Sequence, residues 1–167
     1  MKSRIGLAVS SLALVLCNLT FVQAQGAPDG DRAFVGKVSQ GGMYEVEASK
    51  LAMARATAPD VKDQATTEVH DHELVNQRLK QIATRAGIPV SGTLNAEFQE
   101  RLAKLKVVPA SDFDQAYITD MQQIHDKDEK LFAQEAQEGS EAFKLFAHQT
   151  DLIVKRHIGA LNAPGTM

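Results

Sequence analysis

The sequence predicts an all-α protein, organised as an antiparallel four-helix bundle with a short extra helix in the middle connection. Valine and isoleucine do not alternate with polar residues, so no strand is expected. Apolar residues instead recur at helical spacing in four long segments, and Gly41-Gly42 in the first favours close helix packing or a kink. Two tight breaks, at Ala58-Pro59 and Gly139-Ser140, each join two long segments as in a helical hairpin.

The first 24 residues have the pattern of a secretory signal peptide. Lys2 and Arg4 form a short basic region, an apolar run covers residues 5–16, and Val22-Gln23-Ala24 suits a signal peptidase. We therefore expect an exported protein, located in the periplasm or the cell envelope. The alternative is a retained N-terminal anchor, which is disfavoured because the uninterrupted apolar run is short for a bilayer.

Cleavage after Ala24 would leave 143 of the 167 residues, enough chain for one domain. Cys17, the only cysteine, would leave with the signal, which excludes disulfide and thiolate chemistry in the mature protein. Loss of Lys2 and Arg4 would change the formal charge from −3 to −5. An acidic chain with few aromatic residues argues against nucleic-acid binding, and no stable membrane span remains after cleavage.

The mature chain begins with a polar stretch and then becomes helical. Residues 25–30 are predicted to be a disordered lead-in, and residues 31–162 to form the bundle domain. The first helix is expected over residues 31–57. The second is expected over residues 59–86, because proline is tolerated in a first helical turn and Gly87 can end a helix.

Three further helices are expected in the second half of the chain. A short one is predicted over residues 93–106. A long one is predicted over residues 111–138, because this segment opens with the Ser-x-x-Asp form of a capping box. The last is predicted over residues 141–161, with Ser140 as its N-cap.

Each long helix carries one polar, titratable residue near the middle of its apolar face. In chain order these residues are Glu45, His72, His125 and His157. His70 and His148 fall on polar faces and are expected to be exposed. At 1.5 Å per residue, the first three lie about 20 to 21 Å and the last about 27 Å from the nearest hairpin turn. If both turns lie at one end, the four side chains meet in one buried layer.

Several motifs resemble the exported family called domain of unknown function 4142, DUF4142. They are GGMYEV, the Asp71-His72 pair after VKDQA, FDQAY, His125, and the KRH that ends at His157. The resemblance covers residues 34–161 and implies a ferritin-like bundle, export and the polar core residues. It implies no established reaction.

The first hypothesis for this layer is a bound transition metal ion. Three imidazoles and one carboxylate are good ligands for zinc, iron or copper, and the cores of helical bundles hold such sites. The predicted ligands of one transition metal ion are Glu45, His72, His125 and His157, with Glu68 and Glu129 as additional candidates. Di-iron bundles carry Glu-x-x-His motifs, whereas Glu68 precedes His72 by four residues, which disfavours a ferroxidase.

Two other functions stay open at this point. The layer can be a structural hydrogen-bond network, assisted by Tyr117 or Thr150, that sets the register of the bundle. The protein can also be a binding module for an envelope protein or a small ligand, with mixed surface charges at Lys127, Asp128 and Lys130. The spacing shows no catalytic set, which favours a non-enzymatic protein.

Overall fold

The computed structural model describes residues 26–163, so the predicted signal peptide at residues 1–24 lies outside the described residues. Within this part the protein is all-α, with five helices and no strand. The helices are α1 (Asp29–Arg55), α2 (Pro59–Arg85), α3 (Ala96–Lys106), α4 (Phe113–Glu138) and α5 (Glu141–Leu161). None of these five helices combines the length and the apolar character that crossing a membrane requires.

Helix α1 begins at Asp29, two residues earlier than predicted, so the expected disorder is wrong for residues 29 and 30. Asp29 and Asp31 lie in the first turn, where carboxylates complement the positive end of the helix dipole. The residues before the helix are also hydrogen-bonded to it, because Arg32 Nε donates to the Ala27 carbonyl oxygen at 3.0 Å.

The connection between α1 and α2 is fastened to the start of α4. Pro59 is the first residue of α2, as predicted. The Asp114 carboxylate accepts hydrogen bonds from the backbone N–H groups of Thr57, at 3.0 Å, and Ala58, at 2.8 Å. The predicted capping box is therefore wrong: α4 begins at Phe113, and Asp114 satisfies the neighbouring connection instead of its own helix.

Gly87 ends α2 as predicted. Its φ of +67° is in the left-handed region, which glycine adopts without a steric penalty. The N–H of Ile88 donates to the Ala83 carbonyl oxygen at 2.8 Å, and the N–H of Gly87 to that of Thr84 at 3.2 Å. These two bonds form a Schellman motif, which satisfies carbonyl groups that the helix end would leave without partners.

The starts of α3 and α5 depend on hydrogen bonds from outside the regular helix. The Asn95 side chain accepts a bond from the backbone N–H of Phe98 at 2.9 Å, so α3 begins at Ala96, three residues later than predicted. Ser140 occupies the predicted N-cap position of α5 but makes no side-chain cap bond. Its hydroxyl donates instead to the Asp31 carboxylate at 2.5 Å, which joins the starts of α5 and α1.

The helices pack in pairs around two apolar clusters. Helix α1 packs along α2 and against α4, α5 packs along α4 and against α2, and α3 lies against α1 and α4. Members of the first cluster include Tyr44, Ala65, Met121, Ile124 and Leu161. Members of the second include Val38, Val75, Leu79, Phe132 and Val154. Along α2, α4 and α5, the inward histidines lie between residues of the two clusters, so a polar layer separates the two apolar cores.

Gly42 allows close packing of α1 on α2. A Cβ atom at this position would lie 2.1 Å from Oδ1 of Asn76, which is far inside van der Waals contact. The prediction of close packing at the glycine pair is confirmed for Gly42. At Gly41 an added Cβ would make ordinary contacts at 3.8 Å, with Asp128 and Ile124.

Candidate metal centre

Four buried side chains from three helices meet in the polar layer. Helix α2 supplies Glu68 and His72, which are one turn apart on the same face, α4 supplies His125, and α5 supplies His157. Each offers one ligand atom, and the four atoms all lie within 4.8 Å of one another. The three histidines are those that the sequence predicts. The carboxylate among them is Glu68, which the sequence offers only as an additional ligand.

The Glu68 carboxylate lies against all three imidazole rings. Its Oε2 atom is 2.9 Å from His157 Nδ1, 3.1 Å from His72 Nε2 and 3.3 Å from His125 Nε2. The facing nitrogens of His125 and His157 are 3.1 Å apart. We call these three ring nitrogens the inner nitrogens, because they face one another and the same carboxylate oxygen.

The other nitrogen of each ring, the outer nitrogen, faces an acceptor. His125 Nδ1 donates to the Met121 carbonyl oxygen at 2.8 Å, one turn earlier in α4. His157 Nε2 is hydrogen-bonded to Asp71 Oδ2 at 2.9 Å. His72 Nδ1 lies 3.1 Å from Glu45 Oε2. Partners of this kind hold metal-binding histidines in one orientation and one tautomer.

Glu45 is fully buried but lies outside the group of four ligand atoms. Its carboxyl contacts the far side of the His72 ring, and its Oε1 is 3.7 Å from the outer nitrogen of His125. Asp128, expected on an exposed charged face, is half-buried and contacts Glu45. Burial and the Asp128 charge raise the pKa of Glu45 well above its usual range, and burial raises the pKa of Asp128 to about 6.

The ionisable groups of the centre differ in the direction of their pKa shifts. Burial acts to raise the pKa of Glu68, but the three imidazoles that face its carboxylate outweigh it and hold this pKa well below its usual range. Burial acts to lower the pKa of His125, yet contact with Glu68 and the charge of Glu45 raise it to about 10. Burial lowers the pKa of His72. The centre therefore holds an ionised Glu68 and favours positive charge beside it.

The model of a family described as "Domain of unknown function (DUF4142)" matches residues 19–163, most of the chain. The chain belongs to the DUF4142 family. No curated protein matches this DUF4142 chain.

One solved structure is similar to the DUF4142 chain, the "Crystal structure of DUF305 fragment from Deinococcus radiodurans". The alignment has a TM-score of 0.72 and 13% sequence identity, and it covers 82% of this chain and 95% of the fragment. At this identity the likeness shows a shared helical fold and carries no statement about function.

Asp71 is a residue of this DUF4142 site that the sequence reasoning missed. Its carboxylate contacts His157 and Arg156 through Oδ2, and His70 through Oδ1 at 3.0 Å. Burial acts to raise its pKa, but the bonds from His157 and His70 and the charge of Arg156 lower it. Its position immediately before His72 in one of the family motifs was the available signal.

Other predicted participants lie elsewhere in the DUF4142 fold. The Tyr117 hydroxyl pairs with Ser49 Oγ at 2.8 Å, and the Thr150 hydroxyl donates to the Phe146 carbonyl oxygen at 2.9 Å. Neither hydroxyl bonds to the centre. Glu129 is half-buried on α4 and is not among the four clustered ligand residues. His70 and His148 are exposed, as predicted.

Proposed function

We propose that this DUF4142 protein binds one divalent transition metal ion through the inner nitrogens of His72, His125 and His157 and through Glu68 Oε2. The observation that carries the proposal is the occupation of the outer nitrogens. Each faces an acceptor, so a neutral ring that donates outward keeps a lone pair on its inner nitrogen. Three such lone pairs then face a carboxylate oxygen, and a cation is the species that satisfies all four.

Two buried atoms of the centre support this reading. His72 Nε2 and Glu68 Oε2 are 3.1 Å apart, yet neither has a hydrogen-bond partner with acceptable geometry. A buried polar atom without a partner costs about 1 to 3 kcal/mol. A metal ion coordinated by both atoms would remove that cost.

The ligand set favours a borderline metal in a closed site. Imidazole nitrogen suits zinc, copper, iron and nickel, whereas the thiolate and thioether ligands that select soft ions are not among the four residues. Gln64 Nε2 donates to Glu68 Oε1 at 2.7 Å, which leaves Oε2 as the oxygen that faces the rings. All four ligands are buried, which favours a structural ion over an open catalytic one.

One observation favours a second candidate, a network held together by protons. The pKa of His125 is raised to about 10, so this ring is an imidazolium at neutral pH when no metal is bound. A proton on His125 Nε2 can then bridge to His157 or Glu68. In this alternative the layer is a structural hydrogen-bond network that sets the register of the helices.

Metal titration with thermal unfolding distinguishes the two candidates. The protein, first stripped with a chelator, is heated alone and with Zn²⁺, Co²⁺, Cu²⁺ or Fe²⁺. A ligand at 100 times its Kd stabilises the folded state by about 2.7 kcal/mol, so at least one ion is expected to raise the Tm clearly. Glu68→Gln is expected to remove the rise, and His148→Ala, at an exposed histidine, is expected to retain it. No rise with any ion would favour the proton-held network.

We also infer that the helices form an antiparallel four-helix bundle of the ferritin-like type, with α3 in the middle connection. The order of the contacts supports this arrangement. Glu45 of α1 meets His72 of α2, and Gly42, three residues earlier, meets Asn76, four residues later. Contacts between α4 and α5 follow the same opposed order.

We further propose that the protein is exported and that the bundle at residues 31–162 is its single mature domain. The basic residues, the apolar run and the small residues before position 25 support export. N-terminal sequencing of the protein from an envelope fraction is expected to begin at Gln25. A full-length N-terminus in that fraction would indicate a retained anchor instead.

A further inference from the structure

We propose that the metal ion reaches the centre through a surface pair of ligand-forming side chains, His70 and Asp71, and then past His157. The geometry is a continuous chain of ligand atoms. His70 Nδ1 is 3.0 Å from Asp71 Oδ1, Asp71 Oδ2 is 2.9 Å from His157 Nε2, and His157 Nδ1 is 2.9 Å from Glu68 Oε2. This inference rests on the proposed metal function and adds the route by which the site is loaded.

Exposure falls steadily along this chain. The side chain of His70 is 72% exposed, that of Asp71 is 13% exposed, and those of His157 and Glu68 are 1% and 0% exposed. Imidazole and carboxylate are ligands for the same metal ions at each step. An ion can therefore exchange its water for protein ligands one at a time instead of losing its whole hydration shell at once.

The opposite side of the centre offers a poorer route. There a groove of about 610 Å³ between α1, α3 and α4 reaches Asp128. Behind Asp128 lies Glu45, which is buried, and the two carboxyls lead only to the outer nitrogens of His72 and His125. Lys37 and Lys127 also line the groove and oppose the approach of a cation.

The ligand beside Asp71 is also the one that lies nearest to a helix end. His157 lies four residues before the end of α5 at Leu161, whereas Glu68, His72 and His125 lie well inside their helices. Helix ends open with less free energy than helix centres. Rotation of the His157 ring, with the last turn of α5, would bring its inner nitrogen to an ion held at Asp71.

Arg156 controls the electrostatics of this entrance. Its guanidinium contacts Asp71 Oδ2, and its side chain is 60% exposed. An incoming cation must approach this positive charge and compete with it for the carboxylate. Removal of the charge is therefore expected to accelerate uptake.

Stopped-flow mixing with Co²⁺ tests the route, because tetrahedral cobalt absorbs visible light. His70→Ala is expected to lower the association and dissociation rate constants by the same factor, about threefold to tenfold. The Kd stays unchanged, because a residue on the path alters both directions equally. Arg156→Gln is expected to raise the association rate constant, most strongly at low salt, where charges are screened least. His148→Ala, also an exposed histidine of this chain, is the control and is expected to match the wild type.

The outcomes separate the route from the site. If the wild type binds Co²⁺ and His70→Ala binds it at the wild-type rate, the route is overturned and the metal site stands. A higher Kd with an unchanged association rate in His70→Ala also overturns the route. If the wild type binds no metal ion at all, the proposed function fails and this inference fails with it.

Discussion

Glu68 and Glu45 are two buried carboxyls that contact the same ring, His72, from opposite sides. Glu68 is 0% exposed and Glu45 is 1% exposed. Their pKa values nevertheless move in opposite directions: that of Glu68 falls, because three imidazoles face its carboxylate, and that of Glu45 rises, because of burial and the neighbouring Asp128 carboxylate. Two carboxyls that are equally buried therefore have pKa shifts of opposite sign.

The difference shows that the groups facing a buried carboxyl decide its charge. Glu68 is surrounded by nitrogens that can carry positive charge, so ionisation is favoured despite desolvation. Glu45 shares its surroundings with a second carboxyl, so one of the two is favoured to keep a proton. Under the proposed metal function, the inner side of the layer would hold the cation and the outer side would orient the rings.

The largest expected effect is on the metal-free stability of variants at these two positions. Glu68→Gln removes the counter-charge of a buried imidazolium and is expected to lower the free energy of unfolding by about 3 kcal/mol at pH 7. Glu45→Gln replaces a carboxyl that already favours its neutral form and is expected to change it by less than about 1 kcal/mol. Urea denaturation in the presence of a chelator measures both. Equal losses would remove the distinction between the two carboxyls.

The second effect concerns the two carboxyls that face outer nitrogens, Asp71 and Glu45, in the metal-bound protein. Asp71→Asn is expected to weaken metal affinity by about tenfold to a hundredfold, because an ionised partner that orients His157 is replaced by a neutral amide. Glu45→Gln is expected to weaken affinity less, since its charge is already reduced. Competition with a chelator measures both Kd values. A larger loss in Glu45→Gln than in Asp71→Asn would contradict the charge assignment.

The third effect tests how α1 brings Glu45 to His72. Gly42→Ala forces the Asn76 side chain aside and is expected to cost about 1 to 2 kcal/mol of unfolding free energy. Gly36→Ala is the matched control, because its Cβ would have nothing within 4 Å, and it is expected to be neutral or stabilising by up to about 1 kcal/mol. Metal binding should survive in both variants, since α1 supplies none of the four proposed ligands. Equal stabilities of the two variants would show that the contact with Asn76 costs nothing.

The smallest effect extends the comparison to a third carboxyl. Glu135 has Asp31 as its neighbour, and burial together with Asp31 raises its pKa to about 7. As pH rises from about 4.5 to 7, this group loses its proton in the unfolded chain before it does so in the folded one, so stability falls across that range. Glu135→Gln removes the loss and is expected to be more stable than wild type by about 1 kcal/mol at pH 8, after allowance for solvent screening.

Denaturation at pH 4, 6 and 8 measures this difference. The variant and the wild type should agree most closely at pH 4, where the carboxyl is largely protonated in both states. Glu97→Gln, at an exposed glutamate of α3, is the control and should follow the wild type at each pH. A constant difference at all three pH values would mean that Glu135 does not titrate abnormally.

The inward histidines and the candidate carboxylate show where sequence reasoning succeeds and where it ends. His72, His125 and His157 were predicted correctly as buried, because each lies within an apolar stripe of helical spacing. Helical spacing does not decide whether Glu45 or Glu68 supplies the carboxylate that faces the three rings. Both glutamates are buried, and which of them lies among the inner nitrogens depends on helix separations and side-chain rotamers.

Contacts between helices also explain why the roles of Asp71 and Asp128 were missed and why the capping box at the start of α4 was wrongly predicted. Asp71 and Asp128 lie at the edge of a polar face, where helical spacing does not distinguish a solvated carboxylate from one bound to a neighbouring helix. Asp114 has the sequence of a capping residue but bonds to the connection before α2. In each case the deciding partner is distant in sequence.

The sequence by itself determined the helices and the direction of the three histidines, because apolar periodicity, Pro59 and Gly87 act within a few residues of chain. Tertiary structure decided which oxygen faces the three inner nitrogens and which acceptor holds each outer one. Most of those contacts, such as Glu45 with His72, Glu68 with His157 and Asp71 with His157, join residues on different helices at distances near 3 Å. A shift of one helix by a fraction of a turn would exchange the partners without changing the sequence pattern, so only the packed molecule specifies them.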